Sequence, residues 1–159
     1  MHYLRLAAIA AAILCLGGAK KPVLDLRVHT LGSKDEAPTF AIPSTLLNGT
    51  PVYLQRLPLV TDREVTSIFP FPAGDGTHGV YFKLDLHGTQ LLKQHTMTSH
   101  GSTLVVILNG VQVANLMVDR PVDDGIFRIP RGLTDEDVAF LSTVFPVMGQ
   151  DNSKKPKRR

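Results

Sequence analysis

A two-residue turn between two strongly apolar runs is the feature that most constrains how this chain folds. The stretch STLVVILNGVQVANLMV places Asn109 and Gly110 between runs rich in β-branched residues. Asn-Gly is typical of a type I′ turn, because both central residues of that turn need a positive φ and these residue types tolerate it. The sequence therefore predicts a central β-hairpin whose turn is flanked by Leu108 and Val111.

Alternation of side chains along the two strands of this hairpin sorts them onto two sheet faces. If the pairing continues outward without interruption, one face is wholly apolar and we expect it to pack under helices. That face consists of Leu104, Val106, Leu108, Val111 and Val113. The other, mixed face consists of Thr103, Val105, Ile107, Gln112, Ala114 and Leu116.

Two interpretations of the mixed face stay open at this point. In the first, residues 22–50 of the same chain cover it and its side chains belong to the interior. In the second, it binds extended polypeptide, either by burying an apolar patch or by adding a strand at the sheet edge.

The other patterns along the chain predict an α+β domain around the hairpin. Residues 23–30 and 80–86 alternate as strands, and frequent prolines between them favour edge strands and turns. Asp85 is placed to cap a helix over residues 86–98. IFRIP, starting at Ile126, forms a further short strand. We expect a single two-layer domain with a mainly antiparallel sheet and two helices on one of its faces.

The last helix has a well-defined start and end. Thr134 is its N-cap and Asp137 stands at the position of a capping-box acid. Leu133 and Val138 occupy the two positions of a hydrophobic staple, and Pro146 ends the helix. Its buried stripe is predicted to be Val138, Leu141, Val144 and Phe145.

Residues 1–19 have the pattern of a secretory signal peptide. Arg5 supplies a positive charge, residues 6–16 are apolar, and the small residues that follow favour cleavage after Ala19. The apolar run is shorter than the roughly 20 residues that a spanning helix needs. An uncleaved anchor or an ordinary buried helix is the alternative. The pattern predicts an extracytoplasmic, bacterial location, in the periplasm or secreted.

The chain has one cysteine, Cys15, and it lies inside this segment. A lipid-attached cysteine is disfavoured because Leu14 stands where a small residue is expected. If Cys15 leaves with the signal peptide, the mature chain has no disulfide, thiol nucleophile or thiolate metal site. A secreted domain of that kind relies on its core, which suits a bacterial periplasm.

The net charge of +3 comes from the C-terminal tail. Without it, residues 20–150 are slightly acidic, so no basic binding face or specific nucleic-acid site is expected. We expect residues 151–159 to be a solvated, disordered end, or else a contact to an anionic surface. In the second case the protein is an envelope structural protein held by its tail. The basic residues of the tail are Lys154, Lys155, Lys157, Arg158 and Arg159.

Three stretches together resemble the head of the first periplasmic domain of the SecD and SecDF protein-export subunits. They are VYFKLDLHGTQLLKQHT, GSTLVVILNGVQV and IFRIPRGLTDEDVAFL, from Val80 to Leu141. Within residues 20–150, the best-matching part is 80–146, and the proline-rich part 22–79 matches loosely, at LPLVTDREV. Asn109 replaces the usual Asp of the family's turn.

A second departure is Leu116, which stands where a proline often follows the family's hairpin. The resemblance implies an exported domain with a SecD-head-like fold. The sequence carries none of the family's membrane helices after the signal peptide, so ion-coupled motor activity is not carried over.

Patterns typical of catalysis or metal binding are missing from the sequence. His95 and His100 are five residues apart and no nearby acid completes a ligand set. The acidic stretch DRPVDDG, which ends at Gly125, lacks the alternating acids and terminal Glu of a calcium loop. We therefore expect no metal and no cofactor.

The sequence is best interpreted as an exported non-catalytic domain that binds polypeptide or an envelope protein partner. The alternative is a small extracytoplasmic enzyme or ligand-binding domain that uses Asp85, His87 or His95 in a cleft. A pocket where polar groups converge would favour the enzyme, and a flat apolar strip would favour binding.

Overall fold

A computed structural model describes residues 23–150, which form nine strands and two helices. The strands are β1 (Leu26–Gly32), β2 (Ala41–Thr45), β3 (Pro51–Gln55), β4 (Val60–Thr61), β5 (Val65–Pro72), β6 (His78–Leu84), β7 (Thr103–Leu108), β8 (Val111–Met117) and β9 (Ile126–Leu133). The helices are α1 (Leu86–Thr98) and α2 (Asp135–Val144).

The strands confirm the predicted α+β class but divide between two sheets. The larger sheet has the order β2-β3-β1-β7-β8, with β4 also paired to β1. The smaller sheet has the order β5-β6-β9. All of these strand pairs are antiparallel. We expected one sheet, and the strands form two, since β9 pairs with β6 and not with β8.

Helix α1 has the bounds and the cap that its sequence predicts. The Asp85 carboxylate accepts the Gly88 N–H at 2.8 Å, which satisfies one of the free N–H groups of the first turn. Gly88 is needed for packing, because a Cβ there would lie 2.7 Å from the Cβ of Glu64. The close approach brings α1 against the segment that joins β4 to β5.

Helix α2 begins with the predicted capping box. The Thr134 hydroxyl accepts the Asp137 N–H at 3.1 Å, and the Asp137 carboxylate accepts the Thr134 N–H at 2.9 Å. Leu133 just before the cap is fully buried, which anchors the helix start on the core. Helix α2 contacts β5 and β6.

One apolar core lies between the two sheets and the two helices. Phe82 of β6 and Phe127 of β9 stack at its centre with ring centroids 4.9 Å apart. The apolar face of β7 joins the same core, as predicted, through its three alternate residues. Burial of each such side chain stabilises the fold by roughly 1.5–3 kcal/mol. The three residues are Leu104, Val106 and Leu108.

The hairpin turn has the predicted geometry, with φ of 50° at Asn109 and 81° at Gly110. The pairing also begins as predicted, with Leu108 opposite Val111. However, Val111 is 64% exposed because it lies at the tip of the hairpin, so its place in the buried face was wrong. The register then shifts at Val113, which is an extra residue in β8.

This bulge reverses the faces that alternation assigned beyond it. Ala114 lies opposite Val106 and Leu116 lies opposite Leu104, so both side chains face the main core. Ala114 is buried and Leu116 packs against the core residues. Their assignment to the mixed face was therefore wrong, because a one-residue shift moves every later side chain to the other face.

The capping box gives a direct test of the α2 boundary. We expect Thr134→Ala to lower the free energy of unfolding by about 1 kcal/mol, because an N–H of the first turn loses its acceptor. Thr134→Ser keeps the hydroxyl and is the matched control. Urea unfolding followed by circular dichroism measures both, and equal losses in the two variants would contradict the capping role.

Candidate functional site

The mixed face predicted from the sequence is covered by its own chain. Val105 has 0% exposure although it lies outside the main core cluster. His29, its partner on β1, is also buried, and its Nδ1 lies 2.8 Å from the carbonyl oxygen of Gln55 on β3. Leu54 on β3 is buried and lies opposite Leu31, which shares the face of His29 on β1. The hairpin of β2 and β3 thus curls over this face.

The tip of the β2–β3 hairpin closes the far end of the face. The side-chain amides of Gln112 and Asn115 lie 2.5 Å apart and hydrogen-bond each other. With both amides rotated by 180°, the Gln112 nitrogen donates to the Thr45 carbonyl at 3.0 Å and the Asn115 oxygen accepts from the Leu47 N–H at 3.0 Å.

The expectation of an open partner-binding face is therefore wrong at its centre. Val105 and Ala114 are inside the protein. The remaining members are half-buried: Thr103, Ile107, Gln112 and Leu116. The structure agrees with the first interpretation, in which the chain covers its own mixed face. The covering segment extends beyond residue 50 to Gln55.

The residues of the enzyme alternative do not line a common cleft in the part of the chain between residues 23 and 150. The Asp85 carboxylate is engaged in the α1 cap, and His87 is exposed. His95 is half-buried, and its Nε2 has no hydrogen-bond partner among the described residues. Within residues 23–150 no three His, Cys, Asp or Glu side chains are arranged to hold a metal ion.

The predicted signal peptide and basic tail lie outside the described residues. The contact of Lys154 and the other basic tail residues with an anionic surface therefore stays a prediction from the sequence. Among residues 23–150, no helix combines the length and the apolarity that a bilayer crossing requires.

A cleft of about 510 Å³ opens between β8 and β9, each of which is an edge strand of its sheet. Its floor is apolar, and the partly exposed residues of that floor come from β8, the loop after it and β9: Leu116, Val122 and Ile126. Core residues, among them Leu92 and Phe127, lie directly beneath them. Its rim carries charges of both signs: Asp119, Arg120, Asp124 and Arg128. The sequence did not predict this cleft, because it depends on how the two sheets sit together.

Backbone groups of β8 point into this cleft. The Val118 N–H donates to Ser102 O and the Val118 carbonyl accepts from Gly101 N, both at 2.8 Å, so Val118 bonds toward β7. Consecutive residues of an antiparallel strand point their N–H and C=O groups to opposite sides. Met117 and Asn115 therefore present theirs on the outer edge. Met117 is 74% exposed.

The outward-pointing backbone groups of β9, on the other side of the cleft, are identified in the same way. The Gly125 carbonyl accepts the Leu84 N–H at 2.8 Å, so the residues of β9 that point outward are Ile126 and Arg128. The Ile126 N–H is satisfied by the Asp124 carboxylate at 2.9 Å. Arg128 is left with its backbone N–H and C=O directed across the cleft toward β8.

Local contacts at each end of the cleft fix the positions of its two walls. At one end Gly132, with φ of +96°, lies against the Val113 carbonyl, so the two strands converge there. At the other end the loop after β8 is tied to α1, since the Val122 N–H donates to Thr96 Oγ1 at 2.9 Å. Lys83 adds a hydrogen bond to the carbonyl of Asp124 in the same loop.

Aromatic side chains on the outer face of the small sheet continue the cleft. Phe69, Tyr81 and Arg128 are cross-strand neighbours, and the Arg128 guanidinium lies 5.8 Å from the centre of the Tyr81 ring. Phe71 packs on Tyr81 with centroids 5.0 Å apart and lies over Gly79, where a Cβ would clash. The alternating phenylalanines of SIFPFP are the sequence signal that could have predicted this aromatic surface.

No protein-family model and no curated protein matches this chain. Two solved structures are similar in fold. The first is described as a structure of the membrane component SecDF that enhances protein export; its TM-score is 0.55 at 14% identity, over 76% of this chain and 60% of that one. The second is a crystal structure of SecDF in a super-membrane-facing form, with a TM-score of 0.52 at 14% identity.

The chain has a SecDF-like fold. The likeness covers more than the stretch from Val80 to Leu141 that carries the sequence resemblance, since it extends over most of the chain. The chain spans 60% of the first structure's length and 17% of the second's, so the whole proteins are larger. At this identity the comparison establishes the fold alone.

The covered face of the hairpin is testable through Val105. We expect Val105→Asp to destabilise the protein by roughly 4 kcal/mol or more, because it buries a charge without a partner. Val111→Asp on the next strand is the matched control and should change stability by about 0.5 kcal/mol or less, since Val111 is exposed. Urea unfolding measures both. Equal stability of the two variants would show that the face is open.

His95 predicts a pH dependence of stability. Burial lowers the pKa of His95 in the folded protein, whereas the unfolded chain titrates near 6.5. Below that pH the unfolded state binds a proton that the folded state does not, so the free energy of unfolding falls as the pH drops. We expect His95→Gln to lose this part of the decrease between pH 7.5 and 5.5. Urea unfolding at both pH values measures it, and an unchanged pH slope would contradict the assignment.

Proposed function

We propose that this protein is an extracytoplasmic, non-catalytic domain that binds polypeptide in the cleft between β8 and β9. The predicted binding activity is kept, and its place moves from the mixed hairpin face to this cleft. The observation that carries the proposal is the outer edge of β8, where the backbone groups of Asn115 and Met117 have no hydrogen-bond partner among residues 23–150 and border an apolar floor.

The composition of the cleft favours binding over catalysis. Its lining contains no Ser, Cys or His within the described chain, and Thr96, its one hydroxyl besides Tyr81, is engaged at Leu92 and Val122. A nucleophile and base pair would need such groups within hydrogen-bond reach of each other. An apolar floor beneath exposed strand edges instead fits the recognition of extended chains.

The SecDF-like fold supports a role connected with protein export. A protein of that fold is described as a membrane component that enhances protein export. Together with the predicted signal peptide at residues 1–19, this supports an extracytoplasmic location. The motor activity of the family is not part of the proposal, because it depends on membrane helices that the resemblance does not supply.

A charged residue introduced into the exposed wall of the cleft tests whether polypeptide binds there. We expect Met117→Glu to weaken binding of a reduced and carboxymethylated unfolded protein at least tenfold, because the charge loses solvation when the cleft is filled. Leu57→Glu is the matched control: Leu57 is 81% exposed, lies outside the cleft, and should bind as the wild type does.

Fluorescence anisotropy with the labelled unfolded protein gives both affinities, and circular dichroism checks that the variants fold. Equal loss of binding in both variants would place the site elsewhere on the surface. A wild-type protein that does not bind the unfolded chain at all would remove the proposed function.

A further inference from the structure

We propose that the cleft takes its polypeptide as an additional β-strand on the outer edge of β8, an inference that rests on the proposed function. The ligand is an extended segment with apolar side chains at alternate positions. Recognition then comes from main-chain hydrogen bonds to β8, while the side chains select for an apolar pattern against the floor.

The spacing of the free groups matches what an incoming strand offers. Asn115 and Met117 are two residues apart in a regular part of β8, beyond the bulge, so their outward groups repeat at about 6.8 Å. An extended polypeptide repeats its own N–H and C=O groups at the same spacing along one edge. Each backbone group of β8 that loses water on binding therefore finds a partner.

Beyond its bulge at Val113, the β8 edge lacks the prolines that the other sheet edges of the described chain carry. Edge strand β2 contains Pro43, and edge strand β5 contains Pro70 and Pro72, which remove donors and hinder pairing. Between Val111 and Val118, β8 contains neither proline nor lysine. A regular stretch of edge without proline or lysine, in a protein whose other edges contain proline, favours a strand partner there.

The two sides of the cleft define which extended segments fit. Alternate side chains of the added strand would lie on the partly exposed apolar residues of the lining, Leu116, Val122 and Ile126. Across the cleft, the free backbone groups of Arg128 are available to the other edge of the ligand. The Tyr81 ring and the Arg128 guanidinium flank its outward side chains. An extended segment meets all of these groups at once, whereas a helix has no free backbone groups to pair with β8.

The experiment uses a fluorescein-labelled peptide of alternating Val and Thr with Lys at both ends, measured by anisotropy against the full chain. Met117→Pro removes the outward N–H of β8 without touching the ladder to β7, and Met117→Ala removes the same side chain but keeps the N–H. We expect Met117→Pro to bind at least fivefold more weakly than Met117→Ala, with both variants folded by circular dichroism.

Two measurements on the wild-type protein make the test independent of the variants. We expect the peptide to slow amide exchange of Met117 and Asn115, and we expect a peptide N-methylated at every residue to lose binding. If the peptide binds but Met117→Pro matches Met117→Ala and exchange is unchanged, strand addition is overturned while polypeptide binding stands.

Other results overturn more of the inference. Failure of the wild-type chain to bind either the peptide or the unfolded protein overturns the proposed function as well. A dimer seen by sedimentation in the absence of peptide, with the same protection of Met117, would assign the edge to a second copy of this chain and overturn the peptide as its occupant.

Discussion

Strand β7 is buried on both of its faces, and the rest of the structure follows from how each face is covered. Val106 and its neighbours on one side enter the core that the two sheets and the helices share, while Val105 on the other side needs a second cover. The β2–β3 hairpin supplies it. Each buried side chain contributes roughly 1.5–3 kcal/mol, so neither face can be left to water without a large loss for a domain of this size.

The bulge at Val113 decides which residues of β8 serve the core. Without it, Ala114 and Leu116 would face the β2–β3 hairpin and polar Asn115 would face the main core. With it, Asn115 reaches Gln112 and the backbone of the hairpin tip, where both amides find hydrogen-bond partners. The extra residue thus resolves a conflict between the turn, which sets the first pairs, and the apolar pattern beyond it.

The cleft arises because β9 pairs with β6 and not with β8. Two sheet edges then face each other, held together at Gly132 and at the loop tied to α1, and they diverge between those points. Backbone groups that would be paired in a continuous sheet stay available there. This is why a fold built mainly from apolar strands carries a binding site made of main chain and not of reactive side chains.

Local signals in the sequence were sufficient for the α+β class, the Asn-Gly turn, both helix starts and the apolar face of β7. Each of these depends on interactions within a few residues: the φ preference of Asn109 and Gly110, the carboxylate of Asp85, and the capping box of Thr134. The resemblance from Val80 onward also indicated the SecD-like fold that the structural comparison supports.

Tertiary structure alone decided the division into two sheets, the cover over Val105 and the cleft beside Met117. These features depend on which strands pair across long separations in the sequence. The alternation of apolar and polar residues within a strand does not show which partner gives the better packing. The bulge is the clearest case. One extra residue in β8 leaves the sequence pattern almost unchanged, yet it exchanges the faces of every residue that follows.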